Sequence, residues 1–216
     1  MVFRRYESGD LRTCARLAED AWPAGPKINS KALEIAGMEG YMRYSVGVSN
    51  WTDIASNADN VVGLLFGRID QLRGSTKPSK PKLGEIPWII RSFFEYGSMA
   101  PGLMRFLWNL ILTELKLRVN APSSDSSIEM FIVDSKERGK GIGTILIDRF
   151  LAAARNAGSS RVTVYTDDRM SNWQFYERRG FKKIGEFYDN VTSFYSGAQC
   201  QGIIFVMDLT DRGRNR

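Results

Sequence analysis

The chain has 216 residues, of which 43% are hydrophobic and 12% aromatic, and its formal net charge at pH 7 is +6. These values predict a globular protein with one full core and exclude an intrinsically disordered chain. Histidine is absent, which excludes histidine-based zinc sites, Ser-His-Asp triads and an imidazole general base, and we expect no metal.

The N-terminal third of the chain predicts alternating helices and strands. Hydrophobic spacing and turn residues give a strand at 2–7, helices at about 11–22 and 31–44, a weak strand at 51–55 and a strong strand at 61–69. Asp10 precedes the first helix and is expected to cap it through its side chain.

The next segment, at about 71–121, is predicted to be an insertion of a loop and a helix. Residues 71–87 are rich in Pro, Gly, Ser and Lys and predict a mobile loop, and 103–119 predicts an apolar helix. Between 71 and 120 lie eight basic and three acidic residues. Because the net charge is concentrated there, a basic nucleic-acid-binding surface over the whole protein is disfavoured.

The inserted helix is expected to be buried on two sides, by the core and by the loop or a partner subunit. Its uncharged stretch, 106–113, is much shorter than the ~20 residues of a membrane span. A helix lying on a membrane surface is the alternative.

Regular order is predicted to resume after the insertion. The pattern gives strands at 128–133 and 161–165, helices at about 141–156 and 172–179, and an antiparallel strand pair at 181–187 and 203–209. The first of these helices is expected to turn Ile142, Ile145, Leu146, Phe150 and Leu151 inward, and Gly158 is expected to end it.

A glycine-rich turn joins the strand at 128–133 to the helix that follows. It reads Arg138-Gly139-Lys140-Gly141-Ile142-Gly143. A strand, a glycine turn and a helix N-terminus in series present unpaired amides and suit an anion such as a phosphate. The spacing matches neither a P-loop nor a dinucleotide-binding fingerprint.

A second motif lies downstream and reads Asn172-Trp173-Gln174-Phe175-Tyr176-Glu177-Arg178-Arg179-Gly180-Phe181. The glycine turn resembles the acetyl-CoA loop of the GNAT superfamily of N-acetyltransferases. The second motif resembles another signature of that superfamily, and the two have the family's order and separation.

The resemblance implies an α/β (α+β) fold with a mixed, mostly antiparallel central sheet, helices on both faces and a splayed pair of strands at the cofactor. It also implies one GNAT domain over residues 1–216, interrupted by the insertion at about 71–121.

The resemblance further implies acetyl transfer from acetyl-CoA to an amine, with Tyr176 as the general acid that protonates the leaving thiolate. Glu129 is the candidate general base, and strand alternation predicts that it shares a face with Phe131 and Val133. The pantetheine arm and the pyrophosphate are expected to bind Phe131, Ile132, Val133, Arg138, Gly139, Lys140, Gly141, Ile142, Gly143, Thr144 and Asn172.

Several alternatives remain open at this stage. Tyr176 could serve only in packing, Glu129 could be a solvated strand residue, and Asp167 and Asp168 are weaker candidates for the base. A non-catalytic acyl-CoA-binding module is the rival function, and a nucleic-acid-binding protein is a more distant one.

The expected acceptor is a small-molecule or protein amine, and the basic insertion favours an anionic or ribosome-associated one. A homodimer through the inserted helix is also expected. The chain is expected to be cytoplasmic, because no secretory signal follows Met1. The two cysteines, Cys14 and Cys200, match no metal spacing and are expected to be buried thiols in a reducing compartment.

Overall fold

The computed structural model describes residues 1–23, 31–57, 60–72 and 100–210. The predicted loop at 71–87 lies outside the described residues from position 73 onward. In the described part, none of the helices has the length and apolar character needed to cross a membrane.

The described strands form one seven-stranded sheet in the order β1-β2-β3-β4-β5-β7-β6. They are β1 (Val2–Arg5), β2 (Trp51–Asn57), β3 (Asn60–Ile69), β4 (Ser126–Val133), β5 (Arg161–Asp167), β6 (Lys182–Tyr188) and β7 (Gln201–Asp208). β4 and β5 run parallel, and every other neighbouring pair of these strands is antiparallel. The predicted mixed, mostly antiparallel sheet is therefore confirmed.

Helices cover both faces of the sheet, as expected. They are α1 (Leu11–Ala21), α2 (Lys31–Val48), α3 (Ala100–Asn120), α4 (Ile142–Asn156), α5 (Gln174–Arg178) and α6 (Asn190–Ser196). On one face, α4 packs into a cluster that includes Ile128, Phe150 and Phe205. On the other, α1 and α2 pack against Phe66 and Ile132.

Helix α4 differs from its prediction at one inward position. Ile145 is 43% exposed, whereas Ile147 is fully buried. At 3.6 residues per turn, Ile145 lies about 140° around the helix axis from the buried Phe150, so it faces solvent. Gly158 ends the helix, as predicted. It has a left-handed conformation, with a φ of +86°, and its N–H donates to the Arg155 carbonyl, which is the pattern of a Schellman motif.

The start of α1 also differs from its prediction. The Asp10 side chain makes no cap bond to α1. It accepts instead from the Glu7 amide at 2.8 Å and from both terminal nitrogens of Arg4 at 2.8 Å. Asp10 therefore holds β1 to the turn that precedes α1.

The inserted helix α3 packs against α6, a short helix that the sequence analysis missed. Thr113 Oγ1 donates to Asp189 Oδ1 at 3.1 Å, and Lys116 Nζ donates to Asn190 Oδ1 at 2.6 Å. The opposite side of α3 exposes Trp108, Ile111, Leu115 and Val119. In the described part of the chain, α3 is therefore buried on one of the two sides that were expected. The homodimer stays a prediction.

Candidate active site

The parallel strands β4 and β5 pair over a short distance and then separate. Ser126–Ile128 pair with Val162–Val164, and the register between the two strands ends there. The space between 129–133 of β4 and 165–167 of β5 is called the gap below. It is the splayed strand pair that the resemblance implies.

A β-bulge in β4 lies where the gap begins. In the register with β3, Met130 pairs with Phe66 and Ile128 pairs with Gly67, so Glu129 is the extra residue. A bulge bends its strand and increases the local twist. Gly67 permits close packing here, because a Cβ at this position would lie 2.5 Å from Phe150 Cε2 and 2.8 Å from the Ser127 carbonyl oxygen.

The bulge places Glu129 on the opposite face from the predicted one. Phe131 and Val133 pack with the cluster on the α4 face. Glu129 accepts a hydrogen bond from the Ser127 hydroxyl. The pKa of Tyr41 in α2 is raised first by the burial of Tyr41 and next by the charge of Glu129. The prediction that Glu129 shares a face with Phe131 and Val133 is wrong, because the extra residue reverses the alternation of the strand.

The amides of β4 divide between β3 and the gap. Asp134 donates its amide to the Val62 carbonyl at 2.9 Å. In an antiparallel ladder every second residue bonds the same neighbour. The amides of Met130 and Ile132 therefore face β3, and those of Phe131 and Val133 face the gap.

The closed end of the gap is held by Asp125, which precedes β4. Its Oδ2 accepts from the Ser160 amide at 2.8 Å, and its Oδ1 accepts from the Arg161 amide at 2.9 Å. Burial acts to raise the pKa of Asp125, but the hydrogen bonds from Ser160 and Arg161 outweigh it, and the pKa lies below its ordinary value. Asp125 thus ties the start of β4 to the start of β5.

The glycine turn lies at the open end of the gap. Gly139 and Gly141 both have a φ of +81°, a conformation that glycine adopts without steric cost. A Cβ on Gly143 would lie 3.3 Å from Phe131 Cζ, so this third glycine permits close packing of α4 against β4. The free amides of the first turn of α4 leave an anion-binding end.

The charged residues of the turn have protein partners. Lys140 Nζ lies 2.9 Å from Glu137 Oε2, and Arg138 Nε donates to the Val133 carbonyl at 3.3 Å. Both side chains are exposed at the surface, and an anion at the turn would compete with these partners.

Tyr176 packs beside the gap on the α4 face. Its ring contacts those of Phe131, Phe181 and Phe205 at centroid distances of 6.3, 5.7 and 5.7 Å. Burial raises the pKa of Tyr176, and the nearby Asp167 raises it further. The phenol is therefore protonated at neutral pH.

The remaining predicted candidates start or close turns. The Asn172 carbonyl accepts from the Phe175 amide at 2.9 Å, and the Asn172 side chain is exposed. Asp167 Oδ1 accepts from the Arg169 amide at 2.8 Å, and Asp168 Oδ1 accepts from the Gln201 amide at 2.8 Å. Asp167 therefore has the turn role that the sequence left open, whereas Asp168 joins the end of β5 to the start of β7.

A cavity of about 120 Å³ opens on the face where Glu129 lies. Leu117 of α3 and Ala121, the residue after this helix, cover it, and β5 contributes Thr163 and Tyr165. The place of Tyr165 in this wall was not predicted, because the wall is assembled from segments that are far apart in the chain.

Comparisons with known proteins agree with this geometry. The acetyltransferase (GNAT) family model matches residues 105–181, a range that contains both motifs. No curated protein sequence matches the chain.

Solved structures share the fold over almost the whole chain. One is an aminoglycoside 6′-N-acetyltransferase complexed with coenzyme A, 13% identical, covering 99% of this chain and 100% of that chain with a TM-score of 0.55. Another is the ribosomal-protein-S18-alanine N-acetyltransferase from Escherichia coli, 10% identical, covering 100% and 97% with a TM-score of 0.56. An N-acetyltransferase from Staphylococcus aureus Mu50 is 16% identical, covering 97% and 98% with a TM-score of 0.51.

The resemblance drawn from the two motifs is therefore confirmed: the chain has the GNAT fold, and its motif-bearing part matches the GNAT acetyltransferase family.

Replacing Asp125 should weaken the closed end of the gap. Asp125→Ala removes charge-assisted hydrogen bonds to two backbone amides and should lower the free energy of unfolding at pH 7 by about 2 kcal/mol. Asp208→Ala removes an exposed partner of Arg161 and should cost less than about 1 kcal/mol. Denaturant unfolding of both variants measures the difference.

The Asp125 effect should also depend on pH. Because the folded-state pKa is lowered, the stabilisation is complete above the unfolded value of about 3.9 and is lost as pH falls through the folded value. The wild type and Asp125→Ala should converge in acid. A stability difference that is the same at neutral and acidic pH would contradict this role.

Proposed function

We propose that the protein is an acetyl-CoA-dependent N-acetyltransferase that transfers the acetyl group to a primary amine by direct attack in a ternary complex. The parting of β4 from β5, with the glycine turn at its open end, is the observation that carries the proposal. The GNAT family match and the solved relative complexed with coenzyme A support this donor.

The donor would lie along the gap. The gap-facing amides of Phe131 and Val133 would bind the pantetheine arm and polarise the thioester carbonyl, as preorganised donors do in an oxyanion hole. Ile132 lies between them in β4 and would set the distance between the two amides. The pyrophosphate would bind the backbone from Arg138 to Thr144 at the start of α4. The exposed Asn172 side chain would add a hydrogen bond to the pantetheine.

Acid and base would act from opposite faces of the sheet. Tyr176 lies on the α4 face and Glu129 on the α2 face. The amine would approach from the α2 face and pass its proton to Glu129, directly or through water. The thiolate would leave beside Tyr176 and receive the phenolic proton. Burial raises the pKa of Tyr176, so its phenol would hold the proton that the thiolate needs.

The rival function is a non-catalytic acyl-CoA-binding module. It uses the same gap and glycine turn but requires neither a protonated phenol nor a carboxylate beside the thioester. The open cavity next to Glu129 favours the enzyme, because a binding module has no use for a second space beside the donor.

Gly141→Ala should weaken coenzyme A binding, because alanine is strained at a φ of +81° and the amides of the turn would shift. We expect the dissociation constant to rise about tenfold and the protein to lose about 1 kcal/mol of stability. Gly158→Ala is a matched control at the other end of α4, with a φ of +86° and open space for a Cβ.

Isothermal titration calorimetry with coenzyme A separates the two glycine variants. Gly158→Ala should lose similar stability and keep wild-type affinity. Equal affinities for the two variants would show that the glycine turn is not the pyrophosphate site.

Tyr176→Phe and Glu129→Gln should each lower kcat by about a hundredfold, the effect of losing a general acid or base. Coenzyme A affinity should stay within about twofold of wild type, since neither side chain is assigned to the donor. Tyr188→Phe and Glu186→Gln, at exposed positions of β6, are the matched controls and should keep wild-type rates.

Turnover is measured as thiol release with a panel of amines. A wild-type protein that binds coenzyme A and acetylates no amine would favour the binding module. Full activity in both site variants would refute the assigned acid and base while leaving the activity itself intact.

A further inference from the structure

A buried carboxylate outside the proposed chemistry lies next to the acceptor face. Asp189 is 0% exposed. Its Oδ1 accepts from the Thr192 amide at 3.0 Å and from Thr113 Oγ1 at 3.1 Å. Its Oδ2 is equally buried and has no hydrogen-bond partner among the described residues.

The hydroxyl of Tyr165 has the same property and faces this carboxylate. It is buried without a hydrogen-bond partner in the described part of the chain. Burial raises the pKa of Tyr165, and Asp189 contributes next. The phenol and the carboxylate of Asp189 therefore interact, but the hydroxyl makes no hydrogen bond of normal geometry in the described residues.

Tyr165 connects this pair to the cavity beside Glu129. It lines the cavity wall, and its ring stacks on Phe187 with a 4° interplanar angle. A Cβ on Gly202 would lie 2.7 Å from the Tyr165 hydroxyl, so this glycine makes room for the side chain. The position of Tyr165 is thus fixed by its neighbours on β6 and β7.

The charge of Asp189 has no protein counterpart in the described residues. The ion pairs found there do not include it, and Lys116 of α3 donates to the Tyr188 carbonyl and to Asn190 Oδ1 instead. A buried carboxylate without a cation is costly. A cationic ligand would supply what Asp189 lacks.

Asp189 and Glu129 are too far apart to share one ammonium group. Asp189 follows β6, and β5 and β7 separate β6 from β4. Three strand spacings of about 4.8 Å lie between the two backbones. Helix α3 nevertheless contacts Asp189 through Thr113 and the cavity beside Glu129 through Leu117, so both carboxylates lie on the face that α3 covers.

We propose that Asp189 and Tyr165 form a subsite for a second positive charge on the acceptor, which is therefore a short linear diamine. One amine would react beside Glu129, and the other would bind Asp189 Oδ2 and the Tyr165 hydroxyl. The apolar side chains of Leu117 and Ile204 in the cavity wall suit the alkyl chain between them. This inference rests on the proposed acetyl transfer and departs from the anionic acceptor that the basic insertion suggested.

The test compares putrescine and cadaverine with butylamine and pentylamine, which have matched chains and one charge. For the wild type, kcat/KM should be at least about tenfold higher for the diamines, the value of a charge-assisted hydrogen bond. Asp189→Asn should raise the diamine KM about tenfold and leave kcat and the monoamine KM unchanged. Asparagine keeps the cap on α6, so the fold should persist.

Two further variants complete the design. Tyr165→Phe loses only the hydroxyl and should raise the diamine KM several-fold. Asp208→Asn removes one exposed negative charge and should change neither KM. Equal kcat/KM for diamines and monoamines in the wild type, or equal losses for both in Asp189→Asn, would overturn the subsite.

Calorimetric titration of putrescine into the coenzyme A complex separates this proposal from acetyl transfer itself. Binding that is lost in Asp189→Asn supports the subsite even if no amine is acetylated. Acetylation of amines with no putrescine binding at Asp189 supports the transferase and refutes the subsite.

Discussion

The candidate site depends on one irregularity, the extra residue Glu129 in β4. Antiparallel pairing with β3 holds one edge of β4 on both sides of the bulge. The bend that a bulge introduces turns the other edge away from β5 after only three paired residues. Without it, β5 would occupy the amides of Phe131 and Val133, and no polar backbone groups would remain for a ligand.

The same bulge places the two candidate residues, Tyr176 and Glu129, on opposite faces of the sheet. Phe131 turns toward α4, where Tyr176 packs against it. Glu129 turns toward α2 and the cavity that α3 covers. Asp125 and Gly67 make this arrangement rigid, the first by joining the starts of the two strands and the second by allowing Phe150 to pack against the bulge.

The glycine turn and the fold class could be predicted from the sequence, because their signals are local. The positive φ angles of Gly139 and Gly141 follow from the residue type, and the expected mixed, mostly antiparallel sheet is confirmed. The face of Glu129 could not be predicted, because the bulge occurs in a run with no glycine or proline to signal it. The exposure of Ile145, by contrast, could have been predicted, because helical spacing from Phe150 turns it toward solvent.

The cavity beside Glu129 escaped prediction because it is assembled from remote segments. Leu117, Thr163 and Ile204 belong to three different elements, and none of them by itself signals a shared cavity. Helix α6 could have been inferred from Asp189 before it and Gly197 after it, which has a φ of +75°, since these are the residues that begin and end short helices.

Residue-resolved amide hydrogen exchange, measured by NMR with and without saturating coenzyme A, tests the central claim most directly. In the free protein, the amides of Phe131 and Val133 should exchange faster than those of Met130 and Ile132, which bond β3. Coenzyme A should slow exchange at Phe131 and Val133 by about tenfold or more and leave the other two unchanged. Binding of coenzyme A without any change at Phe131 and Val133 would contradict the account.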